Sequence, residues 1–185
     1  EFVWLAVGRL TTQKDYPTLL RAVEKLDDRH KLWIIGHGED EEKIDELVSS
    51  LGIENQVNIL GTVPRVREYM NAADSFVLPS LWEGFGIVII EAMACELPVV
   101  ATKSGGPEEI VQQEQSGLLV PTQNPSRLAD AMNKVLNLEE SERKAMGKVG
   151  RKHVEENFSI ESITDEWISL YEQVTTGTAT RTGKQ

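Results

Sequence analysis

One cysteine, Cys95, stands in 185 residues, so the chain can close no internal disulfide. It follows the apolar helical run Val88 to Ala94 and is expected to be buried filler rather than a reactive thiol. No apolar run approaches the roughly 20 residues of a membrane span, and no signal-peptide pattern is present. Cations are few: 19 Lys and Arg face 30 Asp and Glu, for a net charge of −11. That balance argues against a nucleic-acid partner or an anionic membrane surface, and leaves phosphate binding to local cations and backbone N–H groups. No His/Cys cluster has metal-ligand spacing, and no serine sits on a Gly-x-Ser-x-Gly elbow. The dinucleotide fingerprint is missing as well: the loop after the first strand offers only Gly8, which disfavours an NAD enzyme.

What is there reads as a single globular domain with ample core. Apolar runs recur at Phe2–Val7, Leu32–Ile35, Val57–Leu60, Ser75–Leu78, Val99–Ala101 and Leu118–Val120. Short continuous runs bounded by Gly or Pro are the pattern of strands buried on both faces of a parallel sheet. Helical stripes lie between them: Leu19, Leu20, Val23 and Leu26, then Ile44, Leu47, Val48 and Leu51, then Ala129, Met132, Val135 and Leu136. The alternation predicts an α/β fold, a doubly wound parallel six-stranded sheet with helices on both faces. After Val120 the pattern turns wholly helical and ends in Ile160–Val174, with Ser159 as a plausible cap. Residues 1–174 read as the domain, and Thr175–Gln185, Thr/Gly-rich without apolar period, as a disordered tail. The abrupt start on a strand suggests a piece of something longer. Trp4, Trp33 and Trp167 fall in apolar periods and are expected in the core, His30 and His153 at the surface.

The richest segment is Pro79–Pro98. Glu83 and Glu91 stand eight positions apart, a Glu-x7-Glu spacing, across Gly84-Phe85-Gly86. A strand feeds in and a helix leads out, the junction at which open α/β sheets bind ligands. Gly84 and Gly86 let backbone approach a ligand, and the first N–H groups of the helix suit an anion. With a helix start near Gly86, Glu91 lies about 8 Å along the axis, so the two acids would hold two ends of a ligand with an anionic middle. Spacing alone does not exclude hydrolysis, in which two carboxylates flank one bond.

A second constellation follows the first strand. Gly8 ends it, and Arg9 and Lys14 return to the carboxyl edge of the sheet, an Arg fork and a Lys point charge suited to a pyrophosphate. Solvated surface cations are the alternative. Gly36-His37-Gly38 and Ser104-Gly105-Gly106-Pro107-Glu108-Glu109 also stand at strand ends. His37 and Glu108 are secondary ligand candidates, although Pro107, Glu108 and Glu109 also fit a helix start for structural reasons.

Taken together, these motifs resemble the C-terminal half of a family 4 (group 1) glycosyltransferase, a retaining enzyme of GT-B fold. The resemblance runs from Phe2 to Val174 and rests on Val-Gly-Arg-Leu with Lys14, Gly-His-Gly, Ala73-Asp74, Pro79-Ser80, Glu83-Gly84-Phe85-Gly86 with Glu91, Pro98-Val99-Val100-Ala101, Gly105-Gly106 and Gly117-Leu118-Leu119-Val120. It implies a Rossmann-like domain that binds a nucleoside-diphosphate sugar. Arg9 and Lys14 would hold the diphosphate and steady it as leaving group, Glu83 would meet sugar hydroxyls, and Glu91 the ribose. Gly8 and the backbone of Gly84, Phe85, Gly86 and Ile87 would line the donor. Same-face attack would make a covalent role for Glu83 unnecessary. No cofactor and no metal are expected. The partner implied is an N-terminal acceptor-binding domain of the same parent chain, without which this chain would bind donor but transfer little. A cytoplasmic location follows from where nucleotide sugars are made, with peripheral membrane attachment through the absent half left open.

Two positions depart from the family pattern. Asp15 follows Lys14 where Gly is common, and Glu96 stands where Gly often precedes Leu-Pro, a costly choice if φ is positive there. The rival readings are another GT-B-like sugar-nucleotide enzyme, such as a non-hydrolysing epimerase, and a non-catalytic nucleotide-sugar module.

Overall fold

Successive strand residues point to opposite faces of a sheet, and that period sorts the apolar residues into two cores. The structure, a computed structural model, describes residues 1–175. Six strands, β1 (Phe2–Val7), β2 (His30–Ile35), β3 (Val57–Gly61), β4 (Ser75–Leu78), β5 (Val99–Thr102) and β6 (Gly117–Val120), form one sheet in the order β3-β2-β1-β4-β5-β6. All five pairings are parallel, with β1 in register from Phe2↔His30 to Val7↔Ile35 on one side and Trp4↔Ser75 on the other. The predicted α/β doubly wound sheet is the observed one.

Helices α1 (Tyr16–Val23), α2 (Glu41–Leu51) and α6 (Pro125–Leu136) cover one face, where Trp4, Ala6, Leu32, Ile34, Val77, Val100 and Leu118 meet Leu19, Leu20, Ile44, Leu128 and Met132. Helices α3 (Val66–Ala72), α4 (Ile87–Ala94), α5 (Gly106–Ile110) and α7 (Glu140–Asn157) cover the other, where Leu5, Phe76, Leu78, Val99 and Ala101 meet Met70, Ile89, Met93, Ile110 and Val154. Each fully buried Leu or Ile contributes about 1.5–3 kcal/mol from water exclusion.

The order of strands reverses between β1 and β4. A crevice opens at such a switch point, at the carboxyl ends of the strands, because the chain leaves the two neighbouring strands toward opposite faces. The residues after Val7 and after Leu78 are therefore brought together.

Several expectations need correction. Helix α8 (Ile160–Thr175) forms as its period predicts, and Ser159 caps it by accepting from Ser162 N at 3.1 Å. It buries nothing, however: Trp167 is 53% exposed, with Ile163, Leu170 and Tyr171 also open to solvent. Thr175, assigned to the tail, is helical, and 176–185 of that tail lie outside the described residues. Trp33 is half-buried, packed edge-on against Tyr69.

His30 is buried rather than at the surface. Trp4 Nε1 donates to its Nδ1 at 3.0 Å, so Nε2 carries the proton and donates to Asn133 Oδ1 at 3.1 Å. Burial holds its pKa below the ordinary histidine value. His153 is half-buried between Gln112, Asn157 and the Phe158 ring.

Both departures from the family pattern have positive φ. Asp15 (φ 47°) caps α1, accepting from Thr18 N at 3.4 Å, and Glu96 (φ 61°) follows the end of α4. Glu96 N donates to Met93 O at 2.9 Å and Leu97 N to Ala92 O at 3.1 Å, the paired bonds of a Schellman ending that glycine normally serves.

Candidate functional site

The loop after β1 is built to turn back on itself. Leu10 is fully buried, its N–H donates to His37 O at 3.0 Å, and its carbonyl accepts from Asp40 N at 3.0 Å. A short 3-10 turn, Thr12–Lys14, then delivers Lys14 beneath Gly8. The buried Tyr16 hydroxyl donates to Gly8 O at 3.2 Å, and burial pushes this phenol well above its usual pKa, so it keeps the proton that it donates. The loop is tied to the one after β4: Leu81 N donates to Gln13 O at 2.8 Å, and Gln13 Nε2 donates to Trp82 O at 2.9 Å.

The loop after β4 is held from its other side by the β5–α5 turn. Glu83 N donates to Ser104 O at 2.7 Å and Gly106 N to Glu83 O at 2.9 Å, an isolated bridge in parallel sense. Thr102 Oγ1 donates to Ser80 O at 2.6 Å. Gly86, at φ 94°, turns the chain into α4 in a conformation that favours glycine. The N–H groups of Ile87 and Val88 precede the helix's own bonding, which begins with Ile89 N to Gly86 O at 2.8 Å.

These loops border an open cavity of about 450 Å³ lined by Val7, Gly8, Lys14, Glu83, Phe85, Gly86, Ile87, Val88 and Glu91. The Lys14 ammonium donates to Glu83 Oε2 in a close ion pair, and Ser80 Oγ donates to the same oxygen at 3.3 Å. Both paired side chains are mostly buried, 14% and 13% exposed. Arg9 is exposed and lines an adjoining hollow of about 190 Å³ with Gly8, Gly36, His37 and Thr62. His37 shares a hydrogen bond of 3.0 Å with Thr62 Oγ1 there. Glu91, exposed on α4, also borders a larger cavity of about 540 Å³ between α3, α4 and α7.

Of the site residues expected from sequence, Gly8, Lys14, Glu83, Phe85, Gly86, Ile87 and Glu91 therefore share one cavity. Arg9 stands beside it, and Gly84 is exposed on the loop without lining it. Gly105 and Gly106 brace the Glu83 loop, and Glu108 caps Gly105 N at 3.1 Å. Cys95, expected to be buried, is half-buried and borders the larger cavity, and burial pushes its thiol pKa up. Gln13 and Thr102, which with Ser80 hold the two loops together, carried no local signal beyond lying at strand ends.

A mostly enclosed cation–carboxylate pair, a helix start and a second carboxylate in one crevice can bind a polyhydroxylated ligand with an anionic centre. Known proteins match the chain in sequence and in fold. The model of the family described as "Glycosyl transferases group 1" matches residues 1–153. An uncharacterized glycosyltransferase of Methanocaldococcus jannaschii is 37% identical over 90% of this chain and 44% of its own length. The Anabaena HepE protein, crystallised with UDP-glucose, superposes with a TM-score of 0.86 at 26% identity, over 94% of this chain and 49% of that one. The crystallised C-terminal domain of a group 1 glycosyl transferase from Francisella tularensis gives a TM-score of 0.78 at 25% identity, over 86% of this chain and 87% of that one. The chain thus spans about half the length of the full-length relatives it matches. It belongs to the group 1 glycosyl transferase family and has the fold of a C-terminal GT-B domain.

Proposed function

We propose that the chain is the donor-binding half of a retaining glycosyltransferase using a nucleoside-diphosphate sugar. The observation that carries the reading is the convergence of Lys14, Glu83, Glu91 and the start of α4 on one cavity at the sheet's switch point. The diphosphate lies over the N–H groups of Ile87 and Val88, with Arg9 and Lys14 as its cations. Glu83 accepts from sugar hydroxyls and Glu91 from the ribose, with Gly8, Gly84, Phe85 and Gly86 supplying close backbone.

As the glycosidic bond breaks, negative charge grows on the diphosphate, and fixed cations lower that barrier most where water is excluded. The mostly buried Lys14 suits this role better than the exposed Arg9. Attack from the leaving-group face retains configuration with no ester on Glu83. The chemistry calls for no divalent metal and no other cofactor.

The acceptor is bound by an N-terminal domain of the parent protein. The relatives' double length supports this, as does the uncovered apolar stripe of α8, with Trp167, Ile168, Tyr171 and Val174 each at least half exposed. This chain alone then binds donor with little or no transfer. The location is cytoplasmic; among the described residues no helix is long and apolar enough to cross a membrane.

The test is an activity assay of the intact protein with nucleotide sugars, reading the anomeric configuration of the product with and without chelator. A retained configuration unaffected by chelator is expected. Inversion, isomerised donor without transfer, or loss of activity on chelation each contradicts part of the reading.

A further inference from the structure

The two cations of the site are in different states. Arg9 is exposed and makes no side-chain hydrogen bond or ion pair among the described residues, whereas Lys14 is committed to Glu83. Its ammonium is paired before any ligand arrives, and both side chains of the pair are mostly buried. Glu83 has few other donors: Ser80 Oγ at 3.3 Å is a long contact to the same oxygen. A diphosphate that draws Lys14 away therefore leaves a mostly buried carboxylate short of partners and close to a second anion. Both effects oppose binding.

Resting on the donor-site reading above, we propose that the Lys14–Glu83 ion pair makes the site discriminate an intact nucleoside-diphosphate sugar from the free nucleoside diphosphate. Sugar hydroxyls donate to Glu83 in place of Lys14 and release the ammonium to the phosphates. A free diphosphate has no such hydroxyls, so it meets a lysine that its own carboxylate still holds. Arg9 makes the first contact with either ligand, and Lys14 joins only when the sugar is present. Once the sugar has been transferred, Glu83 recaptures Lys14 and weakens the grip on the product. The ion pair thereby acts as a specificity device and as an aid to product release.

The experiment is titration of this chain with UDP, GDP, ADP and their glucose conjugates, for the wild type and for Glu83→Gln, which keeps shape and removes charge. The expected result is that Glu83→Gln binds the free diphosphate at least about fivefold more tightly than the wild type, the low end of ordinary coupling between two binding elements. The conjugate gains nothing, so the preference for it collapses. Unchanged or weaker binding of the free diphosphate by a folded Glu83→Gln overturns the proposal. Should that variant not fold, the wild type alone decides: tighter binding of the conjugate than of its diphosphate supports the device, and a ratio of one or less overturns it. Failure of the folded wild type to bind any of the six compounds is a different result, and it removes the donor-site reading together with this inference.

Discussion

Gly106 packs directly on Phe85: a Cβ at position 106 would lie 2.2 Å from the Phe85 carbonyl oxygen. No side chain fits there without moving the loop that carries Glu83, because the loop is hydrogen-bonded on both sides of the contact. Gly106→Ala should destabilise the fold by about 1–3 kcal/mol, as overpacking does, and should weaken donor binding as well. Thermal unfolding and ligand titration on the same variant check both effects.

At Glu96 the opposite is expected. Its φ of 61° strains a side chain, and the surface pair it makes with Arg151 at 3.6 Å is worth little. Glu96→Gly should stabilise the chain by about 1 kcal/mol, a rise in Tm of roughly 2–4 °C for a chain of this size. Gly147→Ala on α7 should destabilise it, since the added Cβ would meet Glu96 O at 1.9 Å.

His30 makes stability depend on pH. Its folded pKa is depressed, so the unfolded chain binds more protons in the window below the ordinary value near 6.5. Its contribution is fully present above that value and is lost as pH falls toward the folded pKa, with a slope of at most about 1.4 kcal/mol per pH unit. Denaturant melts at pH 7.5 and 5.5 should show a steeper loss in the wild type than in His30→Gln. Equal slopes would refute the assignment.

The stripe on α8 should be silent in the isolated chain. Trp167→Asp with Tyr171→Asp changes two exposed positions, so Tm should move by the equivalent of about 0.5 kcal/mol or less. In the intact protein the same pair should lower stability and transfer activity if the proposed acceptor domain covers the stripe.

Most of the fold was legible from the sequence because strands buried on both faces leave short apolar runs. Phe2–Val7 and Ser75–Leu78 match their strands residue for residue, and the others differ by one or two residues at an end. Position at strand ends was enough to gather Lys14 and Glu83, and the helix that leads out after Gly86 placed Glu91 with them. Partnership across long separations was not legible. His30 sits among Asp28, Arg29 and Lys31, and its burial depends on Trp4 and on Asn133, 103 residues away. The Lys14–Glu83 pair spans 69 residues. Gly105-Gly106 reads locally as a ligand turn, and its bracing of the Glu83 loop shows only in the approach of Phe85. The period of α8 marks an apolar face but says nothing of what covers it, which is why Trp167 was misplaced.

In the proposed donor site Arg9 and Lys14 receive the diphosphate of a sugar nucleotide. Ligand-observed NMR of this chain with UDP, GDP and ADP and their glucose conjugates, beside an Arg9→Ala/Lys14→Ala variant, tests it most directly. Each charge-assisted contact removed should cost about 1.5–3 kcal/mol, so selective binding of one nucleotide series should fall by at least about tenfold in the double variant. Binding that survives both substitutions unchanged would place the phosphates elsewhere and contradict the account.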